Sequence, residues 1–175
     1  MIDKYEDKMI DKHSVLLIGT RLTLQEGKWE EAAFFLEQLF ISAQIVWAAT
    51  QEWNLTTFKE YFGKIIDRLR GEYKKQLANF QLLPSKEQHK FSKYGLSVAS
   101  SRLVNKLDEI NKAYLADQWD KWLESIISAY SAYMFTYIIA NEWTQDEVNQ
   151  WLENLTNETM RRYRELQQDF QDSAN

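Results

Sequence analysis

The sequence predicts an all-α protein, and three observations lead to that prediction. Glycine and proline, with five residues and one, are too scarce to supply the turns of a β-sandwich or barrel. Helix-forming residues dominate, and apolar residues recur at spacings of three and four along most of the chain. Two long segments carry almost no charge, which is typical of helices buried on all sides. Together these features predict about six helices in a compact bundle.

Length and composition narrow the class of protein further. A chain of 175 residues suits a single helical domain, 1–175, with a sizeable core. Cysteine is absent, which excludes a disulfide scaffold, a thiol nucleophile and a Cys-ligated zinc. The net charge of −5 argues against sequence-independent nucleic-acid binding, which needs a basic surplus. The first residues alternate in charge rather than forming a targeting signal, so we expect a cytoplasmic protein.

The two low-charge segments organise the predicted fold. Residues 125–140 contain no charged side chain, and residues 35–50 contain only Glu37. A membrane span needs about 20 apolar residues, and these segments are shorter and interrupted by polar groups. We therefore predict that they belong to two central helices, near 29–52 and 119–141, that are buried by protein rather than by lipid.

Local signals place the helices of the first half. The first helix is predicted over residues 3–25, because one apolar stripe recurs there, and Gly27 then fits the left-handed position that ends many helices. The second helix starts near Trp29. The third follows Asn54, whose side-chain oxygen can accept from an otherwise unpaired backbone N–H. Its apolar face continues to about Phe80.

Similar signals place the helices of the second half. Ser85 and Gln88, just after the single proline, have the spacing of a capping box, so we expect the fourth helix to begin there. The fifth helix starts near Trp119. A second capping box, Thr144 with Glu147, predicts the start of the sixth.

A shift of ninety residues aligns the two halves without a gap from residue 29 to residue 80. The aligned landmarks are Trp29 with Trp119, Trp53 with Trp143, Tyr73 with Tyr163 and Phe80 with Phe170. The match predicts an internal duplication, with halves 1–82 and 85–175 forming two three-helix units about a pseudo-twofold axis. The alternative is that any six-helix bundle with similar helix lengths shows some of these coincidences.

Cationic and aromatic residues provide candidate binding surfaces. The cationic candidates are Arg161, Arg162 and Arg164 on the sixth helix and Lys64, Arg68 and Lys75 on the third. Such groups can bind phosphates or an acidic partner, although solvated helix faces carry the same residues. Trp53 and Trp143, at equivalent helix corners, either cover the core or form symmetric contact points.

The sequence predicts no metal site and no cofactor. His13 and His89 are the only histidines, and neither has the carboxylate spacing of a di-iron bundle. His13 falls on the apolar stripe of the first helix, where a hydrogen-bonded core histidine is expected. No pair of acidic residues one turn apart lies on an apolar face, as Mg²⁺ binding would require.

These features lead to one functional hypothesis and two alternatives. We expect a non-catalytic helical protein that binds another macromolecule, most simply a protein, as an adaptor, inhibitor or immunity-type protein does. A homodimer is compatible with the surplus of aromatic residues. The first alternative is a small-ligand-binding protein or enzyme with an aromatic pocket between the central helices, lined by Trp47, Tyr130, Tyr133 and Tyr137. The second is phosphate or nucleic-acid binding through Arg161, Arg162 and Arg164.

Overall fold

The computed structural model describes the backbone of residues 6–174 and the side chains of residues 12–174, and within that part the chain is entirely helical. The six helices are α1 (Glu6–Gln25), α2 (Trp29–Thr50), α3 (Leu55–Gln81), α4 (Ser85–Leu115), α5 (Trp119–Ala140) and α6 (Gln145–Ala174). They pack into a compact bundle, which confirms the predicted fold class. The start predicted for the first helix, residues 3–5, lies outside the described residues.

Two of the three predicted caps form. The Asn54 side chain accepts from the backbone N–H of Thr57 at 2.8 Å. At the start of α6, the Thr144 N–H donates to Glu147 Oε2 at 2.7 Å, and the Glu147 N–H donates back to Thr144 Oγ1 at 3.2 Å. These reciprocal bonds satisfy backbone donors that the first helical turn leaves unpaired.

The capping box predicted at Ser85 is wrong. Pro84, with φ of −56° and ψ of 149°, is the N-cap, and no side chain caps the helix. Ser85 is already the first helical residue. The Gln88 amide instead donates to the Leu83 carbonyl at 3.0 Å, so it ties the helix to the preceding loop. The extended geometry at Pro84 starts the helix one residue earlier than the capping-box spacing implies.

Four helices end in the same tight turn, and it places the corner tryptophans. After α1, α2, α4 and α5 comes a residue with positive φ: Gly27, Glu52, Asp117 and Glu142, respectively. In each turn the next N–H reaches back to a carbonyl five residues earlier, as in Trp53 to Ala48 at 3.1 Å. This is the Schellman geometry. It turns the chain directly after α2 and α5, where Trp53 and Trp143 follow.

The backbone geometry repeats with the ninety-residue period. Helices α2 and α5 start and end ninety residues apart, and their N-caps, Lys28 and Gln118, share φ of −89° with ψ of 77° and 73°. Packing follows the same symmetry. Each helix contacts its counterpart ninety residues away, α1 with α4, α2 with α5 and α3 with α6. The contact of α2 with α6 corresponds to the contact of α5 with α3. The geometry agrees with a pseudo-twofold arrangement, and the internal duplication itself stays a prediction.

The core lies around α2 and α5. Both contribute many buried side chains, and the largest buried rings include Phe40, Phe58, Phe62 and Tyr130. In the described part of the chain, α2 is the one helix long and apolar enough to cross a membrane. More than half of that segment is buried inside the bundle, and the core helix of a soluble protein passes the same test. The structure is compatible with a soluble protein.

Two buried polar side chains stand out in this core. His13 is 3% exposed, accepts from the Trp122 indole N–H through Nε2 at 3.1 Å, and stacks on Tyr114 with ring centroids 3.9 Å apart. The prediction of a core histidine is therefore confirmed. Gln44, in α2, is 0% exposed, and neither atom of its amide has a hydrogen-bond partner. A buried amide in that state lowers stability.

Candidate functional site

An open groove of about 880 Å³ lies where α6 and the end of α5 meet α2. We call it the acidic groove. Three aromatic residues line it, and these are Tyr137, Trp143 and Trp151. Four carboxylates line it as well, and these are Glu30, Glu37, Glu147 and Glu158. The groove therefore combines ring surfaces with negative charge.

A hydrogen-bond chain behind the groove holds one of its carboxylates in place. The Trp151 indole N–H donates to the Tyr130 hydroxyl at 3.0 Å, and that hydroxyl donates to Glu37 Oε1 at 2.8 Å. Tyr130 is 0% exposed. Burial and the neighbouring Glu37 carboxylate raise the pKa of Tyr130 well above its usual value, so the phenol keeps its proton and donates it. Glu37 is thereby oriented by groups from both α5 and α6.

The other carboxylates of the groove differ in how they are held. Hydrogen bonds from Arg161 and Arg162 lower the pKa of Glu158 to about 2, so this side chain is ionised at every physiological pH. Glu147 caps α6. Burial, followed by the charge of Glu30 in the same lining, raises the pKa of the Tyr137 phenol.

The groove has a surplus of negative charge. Its lining holds four carboxylates and a single guanidinium, that of Arg161. Arg161 is already engaged by Glu158 at 2.7 Å and by Glu165 at 2.6 Å. Among the ion pairs of the described residues, none couples Glu30 or Glu37 to a cation. A concave surface of one charge sign concentrates the opposite sign, so the groove favours a cationic group.

The four aromatic residues predicted to line a central pocket have different surroundings. Tyr137 lines the acidic groove, and Tyr130 lies behind it. Tyr133 is buried, and its hydroxyl donates to the Trp29 carbonyl at 2.9 Å. Trp47 is half-buried. It is the counterpart of Tyr137, ninety residues earlier in the chain, and so belongs to the other half of the pseudo-twofold arrangement. Only one of the four therefore faces the groove.

Three of the six predicted cationic candidates are paired with acidic groups. Arg161 and Arg162 both bind Glu158, and Arg162 also donates to the Gln38 side chain on α2. Arg68 binds Glu72 on its own helix and Glu124 on α5. The remaining candidates, Arg164, Lys64 and Lys75, are exposed.

The two corner tryptophans have different surroundings. Trp143 lines the acidic groove and meets Tyr137 edge-on, with ring centroids 6.0 Å apart. Trp53 packs against Tyr61 with centroids 4.9 Å apart, and its carbonyl accepts from the Tyr163 hydroxyl. Of this sequence-predicted pair, Trp143 alone lies in the acidic groove.

The sequence predicted Tyr137, Trp143 and Arg161 as candidates, but it did not predict the four carboxylates of the groove or Trp151. Glu30 and Glu147 belong to patterns that fit outer helix faces and helix starts, and Trp151 belongs to an apolar stripe. One signal was present: Glu37 is the single charge in the apolar segment 35–50. A charged residue in a mostly buried helix needs a polar partner, and Tyr130 is that partner.

Comparison with other proteins does not assign the chain to a family or a function. No protein-family model, curated protein or solved structure matches the chain. Among the described residues, no group of three His, Asp or Glu side chains is arranged to hold a metal ion. The groove is the feature on which a functional proposal rests.

Proposed function

We propose that this protein is a non-catalytic helical protein that binds another protein, as an adaptor, inhibitor or immunity-type protein does. The observation that carries the proposal is the acidic groove together with an exposed phenylalanine beside it. Open, partly aromatic surfaces with a polar rim are what protein partners use. A cytoplasmic location is part of the same proposal, supported by the cysteine-free composition.

The exposed phenylalanine is Phe34, on α2. It is 57% exposed and lies four residues after Glu30 and three before Glu37. Helical spacing of three and four places these three side chains on one face of α2. A large exposed ring beside a concave charged surface supports a role as an anchor for a partner, because aromatic anchors dominate the energetics of many interfaces.

A small-ligand-binding role is the second candidate. The size of the groove supports it, since ligand pockets commonly measure about 300–1,000 Å³. Against it, the hydroxyls of Tyr130 and Tyr133 both donate to protein groups, and the groove is broad and open. An extended partner segment suits that shape better than an enclosed molecule does.

Phosphate or nucleic-acid binding through the sixth helix has less support. The guanidinium groups of Arg161 and Arg162 already bind carboxylates, and the Glu158 carboxylate lies between them. A polyanion would have to compete with these bonds. We expect the protein to pass through a polyanion column without salt-dependent retention.

The test of the proposal compares two matched surface variants. Phe34→Asp places a charge beside the groove, whereas Tyr94→Asp changes a similarly exposed ring, 54% exposed, on α4. Tagged wild type and both variants are used to capture proteins from native lysate, and the recovered partner is then titrated against each. We expect Phe34→Asp to weaken partner binding at least about tenfold and Tyr94→Asp to leave it unchanged. Equal effects of the two variants, or no partner in repeated captures, would refute the proposal.

A further inference from the structure

We infer that the acidic groove receives the guanidinium group of an arginine in a segment of the partner protein. The inference rests on the proposed function and specifies the chemistry that the groove recognises. Three of the four carboxylates of its lining, Glu30, Glu37 and Glu147, bind none of the arginine or lysine side chains of the described chain. Rings and carboxylates that lack an ion-pair partner together match a flat cation.

A carboxylate is already paired with a cation where α3 meets α5, the place that the pseudo-twofold axis relates to the groove. There Arg68 reaches from α3 to Glu124 on α5. Burial, followed by the charge of Glu124, raises the pKa of the Tyr61 phenol on α3, and the charge of Arg68 opposes the rise. A guanidinium and a carboxylate are thus already paired between α3 and α5, and their charges act on a neighbouring phenol.

The corresponding place between α6 and α2 keeps the rings but has no ion pair between the two helices, because Glu158 pairs with Arg161 and Arg162 of its own helix. The aromatic positions correspond as Trp47 to Tyr137, Trp53 to Trp143 and Tyr61 to Trp151. Ninety residues after Arg68 stands Glu158, and ninety residues before Glu124 stands Phe34. The second crossing therefore has a carboxylate where the first has a guanidinium. Arg161 and Arg162 are both engaged by Glu158, so Glu30 and Glu37 have no cation of their own, and a partner would supply it.

Arginine fits this groove better than lysine does. Its planar guanidinium stacks on aromatic faces and binds carboxylates through two parallel hydrogen bonds. Tyr137 and Trp143 are only half-buried, so ring surface is accessible beside Glu30 and Glu37. Lysine offers a compact, strongly hydrated charge, which loses more on leaving water and gains less from the rings.

The experiment uses three short peptides as probes with the intact protein. The first is acetyl-Gly-Arg-Gly-amide, and the matched peptides carry lysine or citrulline, the neutral isostere of arginine, in place of arginine. Binding is measured from the indole N–H signals of Trp143 and Trp151 in an NMR titration. The test variant is Glu37→Gln, whose amide oxygen can still accept from Tyr130, and the control is Glu153→Gln, an exposed carboxylate on α6 outside the groove.

We expect the arginine peptide to shift both indole signals and to bind about tenfold more tightly than the citrulline peptide. Glu37→Gln should weaken arginine binding about tenfold, while Glu153→Gln should leave it unchanged. Equal binding of arginine and citrulline, equal binding of arginine and lysine, or no binding up to about 10 mM would each overturn the inference. So would an unaffected Glu37→Gln variant.

Failure of this inference can be told apart from failure of the proposed function. A partner that still binds wild type but not Phe34→Asp, and whose binding ignores both Glu37→Gln and excess arginine peptide, overturns the inference alone. A protein that binds the arginine peptide but captures no partner supports the chemistry of the groove and refutes the proposed function.

Discussion

Acidification should destabilise this protein through a single buried histidine. Burial lowers the pKa of His13 from 6.5 to about 4. The geometry agrees, since Nε2 already accepts from Trp122 and has no lone pair left for a proton. The folded state therefore holds His13 neutral, whereas the unfolded chain takes up a proton near pH 6.5.

The sign and size of the effect follow from proton linkage. Above pH 6.5 both states are neutral, and the free energy of unfolding is unaffected. Between pH 6.5 and pH 4 the unfolded state binds more protons, so stability falls as the pH falls, by about 1.4 kcal/mol per unit. The loss reaches about 3 kcal/mol near pH 4, or roughly 6–12 °C in melting temperature for a chain of this size.

The assay is urea or thermal unfolding between pH 4 and pH 7.5 for wild type, His13→Gln and His89→Gln. Glutamine at position 13 can still accept from Trp122 but does not titrate, and His89 is an exposed control. Wild type and His89→Gln should lose about 3 kcal/mol more than His13→Gln over this range. Glu158 contributes mainly below it, because the unfolded chain protonates this carboxyl only below about pH 4.5 and the folded state only near pH 2. Parallel pH profiles for all three proteins, or a His13 ring that titrates near pH 6.5, would refute the reasoning.

Two further predictions concern stability and can be checked by urea unfolding. Gln44→Met should raise the free energy of unfolding by about 1–3 kcal/mol, because it removes a buried unpaired amide and inserts the residue found ninety positions later. The reverse change, Met134→Gln, should lower the free energy of unfolding. A destabilised Gln44→Met variant would show that the amide of Gln44 is hydrogen-bonded in solution. Gly63→Ala should add about 0.5–1 kcal/mol, since no atom beyond the adjoining residues and the local helix backbone lies within 4 Å of the new methyl group. Gly19→Ala should gain less, because its methyl group would lie 3.0 Å from the Phe35 ring, and equal gains would contradict that reading.

The helices were predictable because their signals are local. A cap such as Asn54 or Thr144 acts within one turn, and the period of an apolar stripe is set by the helix itself. The Ser85 capping box failed for an equally local reason, since the extended geometry of Pro84 takes the N-cap position. The burial of His13 followed from its place on the stripe of α1.

The acidic groove was not predictable in the same way. Its carboxylates come from α2 and α6, which are far apart in the chain, and on each helix they resemble ordinary surface residues. Trp53 and Trp143 occupy the same turn at the same helix corner, yet only Trp143 lines the groove. The surroundings of the two tryptophans differ because the nearby helices carry different side chains at equivalent positions, such as Arg68 on α3 and Glu158 on α6.

By itself, the sequence determined which segments are helical, where most of them begin and which two lie at the centre, because spacing, capping and charge act over a few residues. Only the tertiary structure decided which outward-facing carboxylates converge on a shared aromatic surface. That outcome depends on how the helices rotate and cross when the whole core packs, and no spacing along one helix encodes it.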